Sequence, residues 1–179
     1  MKRVSTGVRN KARNIVLLLL DVDGVLTDGR IIVDDRGVET KQFHVRDGQG
    51  ISLLRGAGIE VGLITARSSP SVRHRAKELG IRLVRQGVRN KLVAYREIKR
   101  SRRLRDSQIA YVGDDVIDLP ILRTAGLAVS VADGSAELRS AVDWVTAAGG
   151  GLGAVREVAE MLLKSQNKWR ALMDELKGK

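Results

Sequence analysis

Apolar residues along the chain gather into short runs separated by segments of mixed polarity. The runs are Ile15–Leu20, Glu60–Ile64, Arg82–Val84, Ile109–Val112, Leu127–Val131 and Asp143–Val145. Each has strand length and little internal alternation, which is how a strand buried on both faces reads. Helical patterns fill the spaces between them, near 48–55, 70–79, 91–100, 118–123 and 135–141, and a last helix begins near Gly153. This alternation predicts an α/β fold, a Rossmann-like parallel sheet with helices on both faces. In such folds ligands bind beyond the carboxyl ends of the strands.

One stretch breaks the alternation. "GRIIVDDRGVETKQF" (29–43) has two β-prone arms around Asp34-Asp35-Arg36-Gly37, a hairpin signal placed directly after the first strand. The chain divides into a basic leader over 1–14, one domain over 15–165 that carries the hairpin at 29–44, and a helical tail over 166–179.

Composition narrows the chemistry. The 179 residues are 43% hydrophobic and 30% charged, which suits one soluble domain with a substantial core. Cysteine is absent, so disulfides and thiolate zinc sites are excluded and a cytoplasmic setting is the simplest expectation. With only His44 and His74, a His-rich dinuclear metal centre or a histidine-nucleophile phosphatase is hard to assemble. His44 reads as a hairpin or interface residue, His74 as a solvated helix residue. The longest apolar run is far shorter than the roughly 20 residues of a membrane span, so no membrane association is expected. The net charge of +11 favours anionic partners. Aromatic residues make up 3% and are not interleaved with the arginines. The basic clusters therefore read as solvated surface rather than a nucleic-acid platform.

Carboxylates then change the picture. "LLLLDVDGVLTDG" (17–29) drives a buried strand into Asp21 and Asp23, with Gly24 letting the chain turn away. Two carboxylates sharing one crevice repel unless a cation or a proton relieves them. Oxygen ligands favour Mg²⁺ over zinc or copper. "YVGDDVIDLP" places Asp114, Asp115 and Asp118 after another strand. Taken alone, either cluster could be a helix cap or a charged loop; at the ends of two apolar strands they point to one cation site. "LITARSSP" ends a strand at Thr65, with Ser69 and Pro70 suited to open a helix whose positive end faces an anion. "QGVRNK" puts Lys91 in the first turn of another helix, where an anion would offset the slightly unfavourable dipole.

In order, DxD, a strand-end Thr, a Lys and GDDxxD resemble the haloacid dehalogenase superfamily of phosphotransferases. The resemblance implies roles at matching positions. Asp21 would attack phosphorus and form a phosphoaspartate. Asp23 would protonate the departing sugar oxygen and later activate water, and its backbone carbonyl would reach Mg²⁺. Asp114 would complete the metal ligands, with Asp115 and Asp118 supporting, while Thr65 and Lys91 hold the phosphoryl oxygens.

The gaps between motifs leave no room for a cap domain. "DVDGVLTDG", "RDGQGISLL", "QGVRNKL", "YVGDDVIDLPIL" and "GGLGAVREV" resemble the capless 3-deoxy-D-manno-octulosonate 8-phosphate phosphatases of lipopolysaccharide biosynthesis. That resemblance implies a homotetramer in which hairpins wall a neighbour's site. Arg67 and Arg75 are candidates for the substrate's carboxylate and hydroxyls, since guanidinium forks match carboxylates. Arg75 would act across a subunit boundary, and either arginine has a bland reading as an exposed helix residue. Related phosphatases of nine-carbon sugar-acid 9-phosphates have glutamate where Arg67 stands, which favours the eight-carbon substrate. Those nine-carbon esters and nucleic-acid 3′-phosphates are the alternatives. Ala66 departs from the glycine usual in the family.

Overall fold

Four consecutive leucines, buried on both faces, make the strand around which the rest is laid. In the computed structural model, which describes residues 4–178, this is β1 (Leu17–Leu20). It follows a short helix, α1 (Thr6–Ala12), and precedes a hairpin of β2 (Ile32–Val33) and β3 (Glu39–Thr40). The chain then alternates through α2 (Val45–Gly56), β4 (Glu60–Ile64), α3 (Pro70–Glu78), β5 (Leu83–Arg85), α4 (Lys91–Ser101), β6 (Ile109–Gly113), α5 (Leu119–Leu122), β7 (Leu127–Ser130), α6 (Ala136–Ser140) and β8 (Trp144–Val145). Two helices close it, α7 (Ala154–Ser165) and α8 (Trp169–Leu176).

The main sheet is parallel throughout, in the order β5-β4-β1-β6-β7-β8. Side chains of β1 alternate between two cores. Leu18 and Leu20 pack with residues of α1, α2, α3 and α7, while Leu17 and Leu19 pack with residues of α4, α5 and α6. All four are fully buried, each adding about 1.5–3 kcal/mol of transfer free energy. The strand order reverses at β1: β4 and β5 build outward on one side, and the chain then returns to pair β6 on the other. Reversals of this kind open a crevice at the carboxyl ends of the central strands.

The structure bears out the α/β expectation, and most predicted elements fall within a residue or two of their places. Helix α2 begins earlier, at Val45, because the His44 ring nitrogen Nδ1 accepts a hydrogen bond from the Arg46 amide at 3.3 Å and caps it. The basic segment contributes a helix that its charge conceals. Ser5 Oγ accepts from the Val8 amide at 3.3 Å, and Val8 and Ala12 are buried while Arg9, Lys11 and Arg13 point outward. Lys2 and Arg3 lie outside the described residues. In the tail, Trp169 packs against the core, with Arg156 and Lys164 over its ring at 5.6 and 4.9 Å.

Candidate active site

Three adjacent strands deliver the site. β1 leads directly into Asp21, β4 into Thr65 and β6 into Asp114, and the register Leu20–Leu63 and Leu20–Val112 brings those ends level to within a residue. Asp21 is locked to the sheet by its own amide, which donates to the Val112 carbonyl at 3.0 Å. Its Oδ1 accepts from the Val22 amide at 2.7 Å, and its Oδ2 meets Lys91 Nζ at 2.7 Å. Lys91 opens α4, whose cap is Asn90 Oδ1 accepting from Val93 at 3.2 Å. Its ammonium, nearly fully buried, is shared with Asp118 Oδ1 at 2.7 Å.

Asp118 is completely buried and fully committed. Oδ1 accepts from Lys91 and from the Tyr111 hydroxyl, each at 2.7 Å, and Oδ2 accepts from the Asp114 amide at 3.2 Å. It therefore holds Lys91 and Asp114 in place. Asp115, by contrast, is exposed and turns its carboxylate onto the Val116 amide at 2.8 Å, capping a short 3-10 turn over Val116–Asp118. It reaches the cluster only as nearby negative charge.

That cluster carries more negative charge than its one lysine offsets. Burial, and then the neighbouring Asp21 and Asp118, push the Asp114 carboxyl up to about 7. Burial also lifts Asp21, to about 6, against the opposing pull of Lys91. Lys91 is disfavoured by burial, yet Asp21 and Asp118 hold its pKa above the usual lysine value. Asp21, Asp114 and Asp118 each offer an oxygen within 4.8 Å of the others. At Gly24 (φ +84°) a Cβ would lie 2.0 Å from Asp114 Oδ2, so only glycine leaves that carboxylate its place. A buried, under-neutralised set of hard oxygens fits a divalent cation of the magnesium type.

Thr65 is buried at the end of β4, where its amide donates to the Arg85 carbonyl at 2.9 Å and its Oγ1 accepts from the Arg67 amide at 3.3 Å. Ser69 takes the cap position of α3, but its hydroxyl makes no capping bond; its amide donates to Gln86 Oε1 at 2.7 Å.

Asp23 lies at the rim, its side chain 23% exposed. Its partners come from the hairpin, a contribution that sequence reasoning missed. Lys41, just past β3, donates through Nζ to Asp23 Oδ1 and lies 3.1 Å from Glu39 Oε1. Glu39 in turn pairs with Arg67, whose Nε is 3.9 Å from Asp23 Oδ2. The Arg67 hydrogen bond, with further help from Lys41, holds the Glu39 carboxyl down at about 2. The sequence signal was the alternation of charge in "ETK" on the second hairpin arm.

Arg75 is the predicted residue that the single chain does not bring to this cluster. It pairs with Glu78 at 2.8 Å, lies 5.8 Å over the Phe43 ring and abuts Gly48.

The glycine-rich segment before α7 sits on the first motif. Gly151 donates to the Val25 carbonyl at 2.9 Å, and a Cβ at Gly150 would meet the Gly24 carbonyl oxygen at 1.8 Å. Asp133 Oδ1 accepts from the Gly150 amide at 2.8 Å, and Glu157 Oε2 accepts from Ala147 and Ala148 at 2.8 and 3.1 Å. Asp47 of α2 is buried and caps α7 from outside, accepting from the Gly153 and Arg156 amides at 3.2 and 2.7 Å.

Known proteins resemble this chain in sequence and in fold. The profile of the haloacid dehalogenase-like hydrolases matches residues 81–149. The 3-deoxy-D-manno-octulosonate 8-phosphate phosphatase KdsC of Salmonella typhi is 47% identical over 175 residues, 98% of this chain and 91% of its own length. The crystal structure of the corresponding Yersinia pestis phosphatase superposes with a TM-score of 0.91 at 44% identity, covering 92% of this chain and 89% of that one. The Moraxella catarrhalis phosphatase, solved in complex with a magnesium ion, a phosphate ion and a KDO molecule, gives a TM-score of 0.92 at 44% identity, covering 94% and 97%.

Proposed function

The chain belongs to the 3-deoxy-D-manno-octulosonate 8-phosphate phosphatases of the haloacid dehalogenase-like hydrolases, and from that membership we propose that it hydrolyses this ester to the free sugar acid and phosphate. Such a reaction supplies a precursor of lipopolysaccharide. One observation carries the reading: the convergence of Asp21, Asp114 and Asp118 at the ends of two neighbouring strands, with buried Asp21 and Asp118 sharing Lys91.

The nucleophile is Asp21. Its Oδ1 is pinned by the Val22 amide, while Oδ2 faces Lys91 and the interior of the site. Attack by Asp21 on phosphorus forms an acyl phosphate as the sugar oxygen departs. Asp23, two residues on and at the rim, gives that oxygen its proton and then takes one from the water that hydrolyses the acyl phosphate. Lys91 and the Thr65 hydroxyl bind the phosphoryl oxygens, and α4 adds the positive end of its helix. Asp21, Asp114 and the Asp23 carbonyl would hold Mg²⁺, which would supply charge neutralisation for the transferring phosphoryl group. Asp118 keeps Asp114 and Lys91 oriented, and Asp115 adds negative charge at the edge.

Arg67, at the rim beside Asp23, recognises the carboxylate of the sugar acid. Arg75 serves a neighbouring subunit, for which the exposed Ile31, Val33 and Val38 of the hairpin offer apolar contact. The assembly is a homotetramer and its setting the cytoplasm; among the described residues no helix is long and apolar enough to cross a membrane.

A phosphate-release assay tests the substrate. The octulosonate 8-phosphate, a nine-carbon sugar-acid 9-phosphate and a 3′-phosphorylated oligonucleotide are compared with Mg²⁺ and with EDTA. The expected result is preference for the eight-carbon ester and loss of turnover in EDTA. Preference for either alternative ester would move the chain to that substrate.

A further inference from the structure

We propose that Lys41 is a positioning residue for the acid/base step: carried in by the hairpin and braced by Glu39, its ammonium fixes one oxygen of Asp23 and leaves the other to exchange the proton. This rests on the assignment of Asp23 made above. Only 2% of the Lys41 side chain is exposed, so the charge has given up its water. A hairpin that needed only an anchor would hold as well on an apolar side chain, without that desolvation. The ammonium instead donates to Asp23 Oδ1 and forms an ion pair with Glu39 Oε1, 3.1 Å away and, among the described residues, otherwise without a hydrogen-bond partner. Among the described residues Asp23 Oδ2 accepts no hydrogen bond, and Arg67 Nε stands 3.9 Å from it. The two oxygens of Asp23 therefore divide the work, Oδ1 held by Lys41 and Oδ2 left uncommitted. Glu39 bridges Lys41 to Arg67, so the residue that orients the acid/base and the one assigned to the sugar acid share a support.

The leaving group supplies the test. A sugar alkoxide needs its proton as the ester bond breaks; p-nitrophenolate does not. In Lys41→Met, kcat/KM for the octulosonate ester should fall on the order of 10–100-fold, a part of what general acid catalysis contributes. KM should stay within about twofold, as for an interaction made only in the transition state. For p-nitrophenyl phosphate kcat/KM should change less than about threefold, and Lys41→Arg should recover most of the loss. Equal losses with both esters, a loss confined to KM, or no loss would overturn the proposal. Should Lys41→Met fail to fold, Lys41→Cys in this cysteine-free chain can be aminoethylated and refolded. Recovery of kcat/KM for the octulosonate ester on aminoethylation, with little change for p-nitrophenyl phosphate, supports the role, and its absence overturns it. A wild-type chain inactive on the octulosonate ester would contradict the substrate instead, and the comparison then uses the sugar phosphate it does hydrolyse.

Discussion

Asp21 and Lys91 form a buried pair in which each explains the other. Asp21→Asn should lower turnover by at least about 10³-fold, since the amide cannot accept a phosphoryl group. Its melting temperature should hold or rise, because burial already disfavours the carboxylate. Activity and thermal melts of one preparation check both. Lys91→Met should do the opposite to stability. It leaves Asp21 and Asp118 buried without their cation, a change that costs about 3–5 kcal/mol, readable by urea unfolding at pH 8 in EDTA. These residues were legible in the sequence because each ends a strand or opens a helix at a fixed place in an α/β fold. Lys41 and Glu39 were not, since their meaning depends on where a hairpin folds back, which no local pattern encodes. Asp118 was legible as an acid of the GDDxxD motif, but its commitment to Lys91, Tyr111 and the Asp114 amide emerges only in three dimensions.

Among the elements, the parallel strands could be read directly, because runs such as Leu17–Leu20 or Ile109–Gly113 are buried on both faces and their apolar continuity survives in one dimension. Helix α1 was hidden, since only Val8 and Ala12 of it are buried and basic residues surround them. The mutual support of α2, α7 and the glycine loop was equally hidden: Asp47 caps a helix more than a hundred residues away. Asp47→Ala should therefore destabilise the fold by about 1–3 kcal/mol, by leaving the Gly153 and Arg156 amides unpaired. Hydrogen exchange should show the added opening concentrated over 147–156. A uniform increase across the sheet would contradict a local capping role.

At the scale of the whole molecule, the site's acidity links folding to pH. Asp21 and Asp114 keep their protons to about 6 and 7 in the fold, while unfolded aspartates release theirs near 3.8. Between those limits the folded chain binds more protons, so in EDTA these two groups make it less stable as pH rises from about 4 to 7. Added Mg²⁺ should compete with those protons, raising the melting temperature more at pH 8 than at pH 5. Differential scanning calorimetry at both pH values reads the sign, and an equal shift at both would contradict the coupling.

The proposed chemistry turns on Asp21, which follows β1, taking the phosphoryl group. Acid quench of the enzyme during turnover, followed by borohydride reduction and peptide mass analysis, tests it most directly, because reduction converts an acyl phosphate on aspartate to homoserine. Homoserine is expected at position 21 and at no other aspartate, appearing only with substrate and Mg²⁺. Homoserine at another position, or full turnover by the Asp21→Asn chain, would contradict it.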